Sequence, residues 1–147
     1  MNSVRFVVPV RTRSALNLRE HWAKKAARVK HERQTMWIAL TTWDGGSSRA
    51  SRARAMLERP GSIVVTLTRV APRLMDDDNL AGALKACRDQ VATHLRVDDR
   101  DSCVRWVVEQ RKGGVREYAV EVRIEPRSAT CPACGSVVGA VPAGGAT

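Results

Sequence analysis

No stretch of about 18 or more apolar residues, the length a helix needs to cross a bilayer, occurs in the 147-residue sequence. Residues 1–10 lack the charged and long apolar segments of an export signal. The expectation is a soluble, cytoplasmic chain with no membrane partner. Cysteines are few and unevenly placed, at Cys87, Cys103, Cys131 and Cys134, which argues against a disulfide framework and for reduced thiols. His21, His31 and His94 share no ligand spacing, and no internal repeat is evident. Glutamate is missing between Asp76 and Asp101, although that window holds seven of the eight aspartates. A general need for surface acids would mix the two types. Short carboxylates gathered beside a basic surface point instead to metal ions held against a polyanion.

What the sequence has in excess is positive charge, and it is unevenly distributed. Up to Met75 there are 15 Lys plus Arg against four acids, a balance of +11; from Asp76 onward there are 10 against 11, a balance of -1. An excess confined to one half suits a surface that binds phosphates and releases counterions. Arg11, Arg13, Lys24, Lys25, Arg28, Lys30 and Arg73 are the candidate DNA-binding residues. The plainer alternative is a solvated cationic face, which most charge runs are.

The apolar pattern divides the chain into short elements. Residues 4–10 are rich in strand formers and end near Pro9, so they read as a strand near a sheet edge. From about residue 19 to 40 the spacing of Trp22, Ala26, Val29, Met36 and Leu40 predicts a helix packed through that face. Residues 45–54, with Gly45, Gly46 and several arginines, read as a loop or a short, poorly ordered helix. Residues 63–70 form the clearest strand, ended by Pro72. Residues 79–94 read as a second helix with Leu80, Leu84, Cys87, Val91 and Leu95 on one face and Asp78, Gly82, Lys85 and Asp89 on the other. Two more strands follow, about 103–109 and 118–124, with Lys112, Gly113 and Gly114 as their turn.

The chemistry concentrates where the long strand meets the second helix. Asp76, Asp77, Asp78 and Asn79 stand at that junction, where unpaired helix N–H groups stabilise carboxylates. In an extended chain Asp76 and Asp78 would project to one side and bind a hard cation, leaving Asp77 to cap the helix. Simple capping is the ordinary role of one such aspartate. Three in a row repel one another and exceed that need, and Asp98 and Asp99 add a second acidic step.

These residues resemble the RusA-type Holliday junction resolvases, a family common in bacteria and their phages. The resemblance rests on the string Asp76-Asp77-Asp78-Asn79-Leu80, a helix carrying Lys85 and Asp89, then Val97-Asp98-Asp99 and a terminal strand pair, and it covers about residues 63–125. It implies acidic metal ligands at Asp76, Asp78 and Asp99, with Asp98 beside them, and Mg²⁺-dependent nicking (Mn²⁺ as a substitute) of two opposed strands at a four-way junction by a homodimer, in DNA recombination or repair. The family's lysine, usually three residues after the Asn, is replaced by Gly82; Lys85 lies one turn further on the same stripe. A helix over 79–94 is about 24 Å long, which carries Asp99 away from Asp78. Either the helix breaks near Gln90, or a partner subunit supplies Asp98 and Asp99 across a two-fold axis.

Pro126 closes the expected endonuclease domain, residues 1–126. Residues 127–147 form a Ser, Ala, Gly and Pro tail with too few large apolar residues for a core. Within it Cys131-Pro132-Ala133-Cys134-Gly135 looks like half of a zinc ribbon; two ligands are present where closed Zn²⁺ sites use four. Cys87 and Cys103 read as core residues, and Trp22, Trp37 and Trp106 as lying on or beside packed faces. The fold expected is α+β: a small mixed or antiparallel sheet of about four strands with two main helices, dimeric. The rival functions are a non-catalytic nucleic-acid-binding protein and a flap or single-strand nuclease using the same aspartates.

Overall fold

The computed structural model describes residues 3–14, 19–58, 63–98 and 100–127. Among these the chain forms an α+β fold. Strand β1 (Val4–Val8) leads to helix α1 (Trp22–Thr41), a two-residue hairpin β2 (Trp43–Asp44) and β3 (Ser47–Ser48), helix α2 (Arg49–Leu57), strand β4 (Ile63–Ala71), helix α3 (Asp77–Leu95), and strands β5 (Val104–Lys112) and β6 (Ala119–Pro126). The main sheet has the order β1-β6-β4-β5. Only β4 and β5 run parallel; β6 is antiparallel to both β4 and β1.

Alternation along the strands assigns one sheet face to the core. Val4, Phe6 and Val8 of β1 pair with Ile124, Val122 and Val120 of β6, and all six are buried. Ile63, Val65 and Leu67 extend the same layer on β4, and Met36, Leu40, Ala53, Leu84, Cys87 and Val91 of the three helices close it from above. The opposite face carries exposed pairs such as Arg5 with Glu125. Period-two burial of this kind is what fixes strand register.

A parallel strand pair cannot be joined by a tight turn and needs a crossover. Here α3 is that crossover. It starts where β4 ends and finishes where β5 begins, since Ile63 and Val104 are register partners. The entry of α3 therefore lies at one end of the sheet and its exit at the other.

Three expectations require correction. Strands β5 and β6 are not a hairpin: β4 lies between them, and their connection passes over its end, with the Gly113 N–H donating to the Ala71 carbonyl at 2.9 Å. Residues 49–57 take the helical one of the two alternatives, and the helix is regular rather than poorly ordered, because Ala50, Ala53 and Met56 give it a buried stripe in which only Met56 is large. Trp22, expected on or beside a packed face, is 76% exposed, and Trp37 is half exposed. The buried residues of α1 all fall between Glu32 and Leu40, so its first half contributes little to the core, and Trp22 lies 5.5 Å from the His21 ring rather than in that core.

Candidate functional site

The chain leaves β4 through Pro72 and Arg73 and enters α3 at Asp76. Its path is held from the neighbouring strand: the Gln110 side chain donates to the Met75 carbonyl at 2.7 Å and accepts from the Met75 N–H at 3.0 Å. Asp76 is the N-cap. Its Oδ1 accepts from the Asn79 N–H at 3.0 Å and from the Asn79 side-chain amide at 2.6 Å. Asp77 and Asp78 form the first helical turn, so the extended geometry expected for residues 76–78 does not occur, and Asp76 rather than Asp77 is the cap. Asp76, Asp77 and Asp78 are exposed, and among the described residues none of them has a salt-bridge partner.

Helix α3 continues unbroken past Gln90 to Leu95, so the early break is excluded. The apolar stripe of Leu84, Cys87, Val91 and Leu95 stays buried along its whole length, and no glycine or proline interrupts it after Gly82. It ends at Arg96, whose left-handed backbone (φ 56°) lets its N–H cap the Ala92 and Thr93 carbonyls. At 1.5 Å per residue, 19 residues span about 28 Å. Asp98, exposed and accepting from the Arg100 N–H at 3.0 Å, is therefore at the far end of the helix from Asp76 and Asp78. Asp99 lies outside the described residues. Among those described, no three carboxylate, imidazole or thiol groups gather closely enough to hold an ion.

Lys85 and Asp89 share the expected stripe and are joined, at 3.2 Å, with Arg33 of α1 reaching the same carboxylate at 3.5 Å. Lys85 stands seven residues from Asp78, about 10 Å along the axis. Gly82 lies between them; among the described residues a Cβ there would meet the Ser14 Oγ at 3.6 Å, an ordinary contact.

The basic residues divide into two groups. Lys24, Lys25 and Lys30 are exposed on α1. Lys25 and Lys30 border a groove of about 750 Å³ that also holds Arg33, Trp22 and Trp37. Arg28 is turned inward instead, its guanidinium bonded to Glu20 and Glu32, both at 3.1 Å. Burial opposes the Arg28 charge, and the two carboxylates outweigh it and hold its pKa above the usual value. Arg11, Arg13 and Arg73 sit at the other group, around the end of β4, together with Arg69, which the sequence reading passed over. Its signal was present: Arg69 occupies an inward position in the alternation Ile63, Val65, Leu67, where a charge needs a reason.

Cys87 is buried, and loss of solvation pushes its thiol up to about 12; Cys103 is exposed, contrary to the core role expected of it. Cys131 and Cys134, with the proposed half zinc ribbon, lie outside the described residues. Among those described, no helix is long and apolar enough to cross a membrane. No family model matches the chain, and no curated protein matches it.

Proposed function

We propose that this protein is a Mg²⁺-dependent endonuclease of the RusA type, which resolves four-way DNA junctions by paired phosphodiester hydrolysis as a homodimer. One observation carries the reading: exposed aspartates, without a cation partner among the described residues, stand at the β4–α3 junction directly after Met75, which lines a pocket with four arginines, in a chain of net charge +10. Carboxylates left unpaired in so basic a chain are available to a ligand of their own.

The donor chemistry fits magnesium, which takes hard oxygen ligands, needs only one or two carboxylates and keeps several waters; Mn²⁺ accepts the same oxygens. Asp76, through the oxygen not used in capping, and Asp78 would hold the ion from one protomer. Because α3 separates the two acidic blocks by about 28 Å, Asp98 and Asp99 would come from the second copy. A bound divalent ion lowers the pKa of its water and neutralises charge on the phosphate. Lys85 would offset charge on the bound strand. Lys24, Lys25 and Lys30 would hold the junction arms, and Trp22 and Trp37, apolar faces set among cations, would stack on bases left unpaired at the branch.

The capping role of Asp76 favours a second reading, a nucleic-acid-binding protein that does not cut. One gel separates the readings. With Mg²⁺, the protein should nick a four-way junction in preference to a flap or linear duplex, and Asp78→Asn should abolish nicking while leaving junction binding within about twofold. Cleavage by Asp78→Asn equal to the parent refutes the mechanism. Binding without cleavage by the parent protein supports the second reading, and preferential flap cleavage a flap nuclease.

A further inference from the structure

Residues 11–14 run past the end of β4 and, with Arg73 and Tyr118, enclose a pocket of about 550 Å³. Arg11, Arg13, Arg69 and Arg73 all line it, and among the described residues no carboxylate does. Arg11 lies over the Tyr118 ring, 4.4 Å from its centre, an attraction that helps to hold the cation in place. Four guanidinium groups around one space repel one another unless an anion joins them.

The buried members are incomplete as they stand. Arg69 is 7% exposed and Thr12 3% exposed. One Arg69 amine, Nη1, donates to the Arg73 carbonyl at 2.9 Å, while among the described residues its Nε and the Thr12 Oγ1 are buried without a hydrogen-bond partner. Burial lowers the Arg69 pKa; Tyr118 works against that and Arg11 adds to it. A buried polar group left unpaired costs about 1–3 kcal/mol, and native folds satisfy nearly all of them. A ligand with several acceptor oxygens and negative charge would satisfy the hydroxyl, the Nε–H and the charge together. Phosphate has that form, and the planar arginine fork matches it.

We propose that this pocket receives one internal phosphate of a nucleic-acid strand, with Arg69 and Thr12 as the buried donors and Arg11, Arg13 and Arg73 around the opening. Met75 is part of the wall, so the phosphate so held is adjacent to Asp76. The assignment rests on the nuclease reading for its place in a reaction, but phosphate binding needs neither a divalent ion nor cleavage.

The test follows the Arg69 Nε–H resonance by NMR in EDTA, titrating first inorganic phosphate and then a single-stranded oligonucleotide with a 5′-hydroxyl, which offers internal phosphates only. The expected result is a saturable shift with both. Thr12→Val and Arg73→Gln should each weaken the oligonucleotide shift by about tenfold, the effect of one charge-assisted hydrogen bond. Arg105→Gln, an exposed change on β5 outside the pocket, should leave it within about twofold. No shift, or equal shifts in all variants, overturns the proposal. A shift with inorganic phosphate alone also overturns it, since the site is then one for a free ion. Binding without nicking by the parent defeats only the nuclease reading; nicking with a silent Arg69 defeats only this one.

Discussion

The side-chain amide of Gln110, on β5, makes both of its hydrogen bonds to one residue, Met75, donating to its carbonyl and accepting from its N–H. Gln110 is the register partner of Arg69 on β4. The backbone one residue before the Asp76 cap is thus fixed by the strand next to the one it left, and the acidic turn is positioned by the sheet itself.

Gln110→Ala should therefore lower stability by about 1–2 kcal/mol, the usual worth of two partly buried hydrogen bonds. Nicking should fall further than junction affinity. Gln110→Glu keeps the acceptor, loses the donor and should be intermediate. Urea unfolding with parallel nicking and binding gels reads all three; equal losses of nicking and binding would mean that Gln110 serves stability alone.

Two glycines should respond to alanine in opposite directions. Gly113 passes over the end of β4, and a Cβ there would lie 2.9 Å from the Val70 Cγ1; Gly113→Ala should destabilise by about 1–3 kcal/mol through overpacking. Gly82 is helical, with room for a Cβ among the described residues, so Gly82→Ala should stabilise by up to about 1 kcal/mol. Denaturant midpoints check both. Gly82→Lys, which places a lysine where the resembled family has one, should also fold at least as stably as the parent.

The acid limb of the stability profile should carry a signature of Glu32. Burial raises its pKa, against the pull of Arg28. The folded state then holds this proton more tightly than the unfolded state does. Its contribution to stability is full below the unfolded carboxylate value of about 4.3 and is lost as pH rises through the folded pKa. Glu32→Gln cannot lose that contribution, so its stability relative to the parent should increase with pH across this window and then level off. A constant difference from pH 3 to 7 would contradict the burial argument.

The native thiols should differ in reactivity. Cys87, with its pKa pushed to about 12, is both buried and protonated, and only the thiolate reacts. Iodoacetamide at pH 8 should label the exposed Cys103, slowed because Asp101 raises its pKa, and should spare Cys87 until denaturant is added. Peptide mass spectrometry distinguishes the two.

The sheet strands and the two long helices were legible in the sequence for plain reasons: burial alternates with period two along β1 and β6, β4 is an almost continuously buried run of strand formers, and Leu80, Leu84, Cys87, Val91 and Leu95 recur at i, i+3, i+4 spacing in α3. Strand order was not legible, since a turn at Gly113 suits a hairpin as well as a loop that crosses β4. The exposure of Trp22 was hidden for a related reason: its spacing is that of a packed face, but whether the start of α1 joins the core depends on where the sheet stops. At the candidate site the aspartates stood out by number, and Arg69 was legible from its inward place in the alternation Ile63, Val65, Leu67, whereas Thr12 and Gln110 did not stand out. Their importance comes from which strand end they share, and no spacing in the sequence encodes that.

Mixing two inactive proteins tests the central claim most directly. If each site draws Asp78 from one protomer and Asp99 from the other, Asp78→Asn and Asp99→Asn proteins should each fail to nick a four-way junction with Mg²⁺. Their refolded mixture should recover nicking, because the heterodimer combines both defects in one site and leaves the other intact. A mixture as silent as its components, or full activity in either variant alone, would contradict the account.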